Sequence, residues 1–321
     1  MAIQLLKSAF LCSVLLLFAG CEKWADGVVR EIEFPEHEPE IAATVVLTSG
    51  DTEAVACLYQ SVSNLTDQQS NIPSGVSARI LKDGVEVLSW APGDTGWIGQ
   101  EWDKRMMHVI GLDAPLDLPQ GAYALEVTAP GLEELTATAV QPPKPTPAVT
   151  YSAGVDTLYD TNDWSYGEEK VRDVIAFDLV NSVGQRDVYG IQFLEGDVQG
   201  LGDTAWYVTA VNQDDLDLDP RITFNSACAC YIIDDQDEDG QSLEGINFDR
   251  YGYPNAFEDW RLPLRMSVTS MSPGLGEFYL SIDVHLNSSG NFFANPSTVY
   301  SNTSSGFGCF GLASKTVYTF D

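Results

Sequence analysis

Val76-Ser77-Ala78-Arg79-Ile80-Leu81-Lys82-Asp83-Gly84-Val85-Glu86-Val87 is the stretch on which the fold class turns. Val76, Ala78 and Ile80 recur at a spacing of two, which places them on one face of a strand. Asp83-Gly84 supplies a two-residue hairpin turn, and Val85 and Val87 resume the alternation on the return strand. A chain that folds back this tightly pairs antiparallel. Further along, Pro119-Gln120-Gly121 precedes Tyr123, Leu125 and Val127 on one face, and Pro130-Gly131 turns the chain into Leu135 to Val140. Strands at this spacing predict a small antiparallel sandwich of immunoglobulin-like or transthyretin-like type.

The pattern breaks at Gln141-Pro142-Pro143-Lys144-Pro145-Thr146-Pro147. Proline cannot donate to a sheet ladder, so residues 141–147 are expected to be an extended, semi-rigid spacer. Beyond it, alternation returns around Ile175, Tyr189, Trp206 and Leu264. Phe278, Leu280, Ile282, Val284 and Leu286 form the longest period-two run and are expected to be a strand. The fold class expected is therefore all-β: the first sandwich over 41–140, then a larger antiparallel β-sandwich over 148–321.

Upstream, a short apolar stretch from Ala9 to Phe18 is led by Lys7 and closes on Phe18-Ala19-Gly20-Cys21, the layout of a secretory leader ending in a lipobox. Residues 1–20 are expected to be removed and Cys21 to carry lipid. Acyl chains anchor by burying methylenes, at about 0.8 kcal/mol each. The acidic, aperiodic stretch to residue 40 reads as a flexible tether.

The chain carries 47 Asp plus Glu against 16 Lys plus Arg, a net charge of −31. That field repels nucleic acid and anionic lipid heads. Beyond Cys21, the mature thiols are Cys57, Cys228, Cys230 and Cys309. Alternate residues on an extended strand sit near 7 Å, too far for an unstrained bridge between Cys228 and Cys230, so free buried thiols are expected.

Asp235-Gln236-Asp237-Glu238-Asp239-Gly240 places acids at every second position before a glycine, as in the first half of a calcium loop. Asp235, Asp237, Asp239 and Glu244 are the candidate ligands, with calcium the possible cofactor. Ile246 stands where such a loop carries its bidentate Glu. Nucleophilic catalysis has little support: there is no G-x-S-x-G elbow, no H-E-x-x-H and no phosphate loop, and His37, His108 and His285 are the imidazoles. Aromatic residues in loop regions, among them Trp90, Trp97, Trp102, Trp164 and Trp260, could build a binding face.

Phe292-Phe293-Ala294-Asn295-Pro296-Ser297-Thr298-Val299-Tyr300-Ser301-Asn302, followed by Gly306-Phe307-Gly308-Cys309-Phe310-Gly311, resembles the signature near the end of the DUF4249 family of Bacteroidota outer-membrane and surface lipoproteins. Pro296, Tyr300, Asn302, Gly306, Gly308, Phe310 and Gly311 carry the motif. The resemblance implies an outer-membrane, lipid-anchored location, and a role beside a TonB-dependent receptor; it implies no catalytic residue. The expectation is a non-enzymatic accessory or ligand-binding lipoprotein. The alternatives are a polysaccharide hydrolase using loop carboxylates and an adhesion or envelope-scaffold protein.

Overall fold

The computed structural model describes residues 37–62, 71–98, 105–159, 169–180, 186–199, 203–209, 222–235, 242–252, 263–288 and 297–320. Cys21 and its tether as far as residue 36, Asp237, Asp239, Pro296, Trp102, Trp164 and Trp260 lie outside them.

The first region contributes β1 (Ile41–Ser49), β2 (Glu53–Gln60), β3 (Ser77–Lys82), β4 (Val85–Trp90), β5 (Thr95–Ile98), β6 (Arg105–Gly111), β7 (Gly121–Thr128) and β8 (Leu135–Gln141). The second contributes β9 (Ala148–Tyr159), β10 (Glu169–Leu179), β11 (Val188–Gln199), β12 (Asp203–Thr209), β13 (Ile222–Asn225), β14 (Cys230–Asp234), β15 (Leu243–Gly252), β16 (Leu264–Met271) and β17 (Phe307–Phe320). One helix, α1 (Pro273–Ser288), completes the described elements. The protein is all-β in architecture, as its alternation predicts. The β3–β4 hairpin forms with Asp83 and Gly84 both at positive φ, the geometry such a turn requires.

A ten-stranded sheet runs in the order β13-β14-β11-β16-β17-β1-β2-β6-β5, with β12 on β11. A four-stranded sheet, β4-β3-β7-β8, and a three-stranded sheet, β15-β10-β9, stand apart from it. Alternation along β17 shows how these layers stack. Phe310 and Leu312 enter one core with Ile41, Val45, Leu58, Ile80, Trp90 and Leu125, so the four-stranded sheet covers that end. Tyr318 and Phe320, on the same face further along, pack into a second core with Phe177, Ile191, Phe193, Phe248 and Met266 beneath the three-stranded sheet. Cys309 and Ala313 point the other way, toward α1. Two small sheets thus share one face of the large sheet, and the helix lies on the opposite face.

β17 also joins the two regions: it pairs parallel with β1 and antiparallel with β16. The Pro-rich segment crosses this same strand. Its carbonyls accept from alternate β17 side chains: Ser314 Oγ donates to Pro142 O at 3.1 Å, Thr316 Oγ1 to Pro145 O at 2.6 Å, and Tyr318 OH to Pro147 O at 2.7 Å. Lacking N–H groups, the prolines cannot join a ladder, but their carbonyls still accept. The segment is laid along β17 and does not stand free as a spacer.

Three expectations are corrected. Phe278 to Leu286 is helical: Pro273 sits at the first helical position, where its missing N–H costs nothing, and Leu275 and Gly276 donate back to Ser272 O. Leu275, Phe278, Tyr279 and Ile282 fall at i, i+3, i+4 and i+7, forming the stripe that faces the sheet, while Val284 and Leu286 are left 57% and 52% exposed. His285 consequently lies in the last helical turn, not on a strand. Cys228 and Cys230 are joined by a disulfide, because the chain turns at 226–229 with Ala229 at φ 49°, bringing the Cα atoms to 5.2 Å where a strand would hold them near 7 Å. Trp90 belongs to the core at 1% exposure, its Nε1–H donating to Ala54 O at 3.2 Å, and offers no binding face.

Candidate functional site

The helix covers only part of the outer face of the large sheet. Beside it lies a groove of about 680 Å³, within the range of small-molecule sites. Its floor is the outward side of three adjacent strands: Ala42 and Thr44 of β1, Cys57 and Tyr59 of β2, Arg105 and Met107 of β6. Register brings them side by side, with Thr44 opposite Cys57 and Ala42 opposite Tyr59. Phe278, Tyr279 and Ile282 of α1 form one wall; Val299, Tyr300 and Phe307 add to the described lining.

The wall is fixed to its sheet at several points. Arg186 forks onto Asp234 at 2.9 and 2.6 Å and reaches Glu277 of the helix at 2.5 Å. Asn225 Nδ2 donates to Tyr279 O at 2.8 Å, while Asn225 Oδ1 accepts from the N–H groups of Ala227 and Cys228 in the disulfide turn. Tyr300 N–H donates to Ser281 Oγ at 2.8 Å. The helix rests on the sheet without intervening side chains at Gly311 and Gly276: a Cβ on the first would lie 2.7 Å from Leu275, and on the second 2.6 Å from Val188.

The thiol and the phenols in the groove are held neutral. Burial pushes the Cys57 thiol up, with Arg105 pulling partly the other way. Its S–H donates to Met107 Sδ at 3.4 Å. Burial likewise raises Tyr59, Tyr279 and Tyr300. Beneath the helix, burial pushes Cys309 up to about 12. A thiol kept protonated is a poor nucleophile, so this lining is suited to enclosing a ligand.

The described motif residues near the C-terminus lie along one edge of this site. Tyr300 lines the groove; Asn302 and Phe310 bond to each other beneath it; Gly306 and Gly308 run against β1. The acidic-loop residues lie elsewhere. Asp235 turns inward, Oδ1 accepting Asp187 N–H at 2.6 Å, and Glu244 stands exposed on β15, in a different sheet. Among the described residues no group of three His, Cys, Asp or Glu is placed to hold a metal ion. The floor of the groove escaped the sequence reading. Its signal was present in β2, where Val55, Cys57 and Tyr59 are as apolar as the inward Ala54, Ala56 and Leu58. A strand covered on one side only is expected to be polar on the other.

No family model matches the chain, and no curated protein matches it. Among solved structures, it is similar to trypsin-activated alpha-2-macroglobulin from Escherichia coli, at 8% identity and a TM-score of 0.23, over 73% of this chain and 14% of that one. It is also similar to extracellular domains 3–5 of Drosophila OTK, at 9% identity and a TM-score of 0.19, over 73% of this chain and 94% of that one. Neither likeness bears on what the groove holds.

Proposed function

We propose that this chain is a non-enzymatic, lipid-anchored protein of the outer-membrane surface that captures a ligand in the groove beside α1, as an accessory to a TonB-dependent transporter. The groove carries the reading. It is sized for a small ligand, its floor is built from three hydrogen-bonded strands, and its thiol and hydroxyls are kept neutral by burial. The anchor and the partner rest on the leader closing at Cys21 and on the resemblance of residues 292–311 to the DUF4249 signature. Among the described residues no helix is long and apolar enough to cross a membrane, so attachment in this reading runs through Cys21. Purification of the full chain from detergent-solubilised envelope tests it: an outer-membrane barrel should co-purify, and Cys21→Ser should release the protein from the membrane fraction. Recovery without any barrel would overturn the assignment to a transporter.

A further inference from the structure

We infer that the Cys228–Cys230 disulfide is a redox-sensitive clasp: closed, it holds the turn between β13 and β14 against α1, and opened by a small thiol it lets the helix loosen from the sheet. The identity of any groove ligand does not enter this inference. Three observations carry it.

The first is that the bond has little to do as a global staple. A disulfide stabilises a fold largely by closing a loop in the unfolded chain, and the effect grows with the length of that loop. Cys228 and Cys230 are two residues apart in sequence, so the unfolded chain loses little freedom. The effect of the bond is local: it shapes the turn.

The second is what the turn grips. Asn225 Nδ2 donates to Tyr279 O at 2.8 Å, and Ser226 donates to Asp283 Oδ1, from its hydroxyl at 3.1 Å and its N–H at 3.4 Å. Tyr279 and Asp283 are four residues apart on α1, so the helix is held along one line. Asn225 is itself oriented by accepting, at Oδ1, from the N–H groups of Ala227 and Cys228. Both donors belong to the segment that the disulfide bends. Ala227 and Tyr279 also line the groove, so the clasp helps to set its wall.

The third is that the bond is placed to open. Ala229, between the two cysteines, has φ 49°, a left-handed conformation that alanine disfavours. Release of the bond lets it relax toward the extended form, in which alternate residues sit near 7 Å apart. Cys228 is half-buried, and a cleft of about 140 Å³ beside it is lined by both cysteines. A thiol can enter there.

The exchange runs in two steps. The thiolate of a small thiol attacks Cys228 Sγ and forms a mixed disulfide, and Cys230 leaves as a thiolate that takes a proton from water. A second thiolate attacks the small-thiol sulfur of that mixed disulfide, frees Cys228 to take up its own proton, and departs as the oxidised dimer. Two electrons pass to the protein, and two small thiols become one disulfide.

The test equilibrates the full mature chain with mixtures of reduced and oxidised glutathione, counts the thiols gained at Cys228 and Cys230 by alkylation and mass spectrometry, and follows amide hydrogen exchange across α1. Reduced glutathione should open the bond, and exchange at residues 277–284 should then quicken about tenfold while the β3–β4 hairpin is unchanged. Cys228→Ser with Cys230→Ser should show the fast exchange without reductant and no response to it. Ala229→Gly, which relieves the left-handed residue in the closed form, should require an about fivefold more reducing mixture for half-opening. Should the double variant fail to fold, the native chain and Ala229→Gly still decide the matter. A bond that stays closed in reduced glutathione alone would overturn the clasp. So would thiols gained with no change in α1, or a half-opening point indifferent to Ala229→Gly.

Discussion

Asn302 holds Phe310 by both edges of its backbone. The side-chain Nδ2 donates to Phe310 O at 2.8 Å, and Phe310 N–H donates to Oδ1 at 2.9 Å. This is what a neighbouring strand would do, and it occurs where β16 runs out: the β16–β17 register ends at Met271 opposite Ala313, Ser272 serves Leu312, and Asn302 serves Phe310. Asn302→Ala should therefore cost about 2–3 kcal/mol, two hydrogen bonds lost beside a fully buried Phe310. Chemical denaturation measures it; a loss below about 0.5 kcal/mol would mean the pairing is incidental.

The parallel contact between β1 and β17 depends on two glycines. Gly306 and Gly308 have φ of 65° and 126°, and a Cβ on either would lie inside the contact shell of a β1 carbonyl, Ile41 O and Ala43 O respectively. Gly308→Ala should cost well over the ~1 kcal/mol typical of a glycine replaced where only φ is unfavourable. Gly84→Ala supplies that comparison, since its φ is 78° with nothing within 4 Å. Equal melting temperatures for the two variants would contradict the close approach.

Much of the fold was legible in the sequence because alternation is a strong signal where one face is buried. The β3–β4 hairpin and the apolar faces of β7, β10 and β11 follow directly from it. α1 did not, for a definite reason: Phe278, Leu280, Ile282, Val284 and Leu286 fit a period of two, and the helical stripe emerges only when Leu275 and Tyr279 are counted with Phe278 and Ile282. The disulfide was hidden because Ala229 takes a conformation that alanine rarely adopts. The groove was hidden because its floor and wall are joined by pairings such as β1 with β17, which local sequence does not encode.

Arg186 ties the helix wall to the sheet through Asp234 and Glu277. These two carboxylates raise its pKa through hydrogen bonds, chiefly that with Asp234. Arg186→Met would leave both acids without their shared cation. The expected loss is about 2 kcal/mol, discounted from a buried pair because all three side chains keep some contact with water. An unchanged unfolding midpoint would show that the fork contributes nothing measurable.

His108, on β6, is 1% exposed, and Nδ1 has no hydrogen-bond partner. Burial lowers its pKa from the usual 6.5, with Asp94 opposing. The unfolded chain thus takes up this proton before the folded one does, so stability should fall as pH drops through about 6.5 and level off below the folded pKa. Melting temperatures between pH 7.5 and 5 should decline less steeply for His108→Leu than for the native chain. Identical slopes would place the pH dependence on other groups.

Cys57 offers the most direct measurement of the groove. Its thiol lies on the floor, while Cys309 is fully buried under the helix with its pKa pushed up to about 12 by burial, so of the free thiols among the described residues Cys57 should be the one that reacts with a maleimide at pH 8.5. With decanol, a neutral hydrocarbon probe, bound to saturation by calorimetry, Cys57 labelling should slow about tenfold or more, in step with occupancy. A labelling rate unchanged by bound decanol would place the ligand elsewhere and contradict the groove as the site.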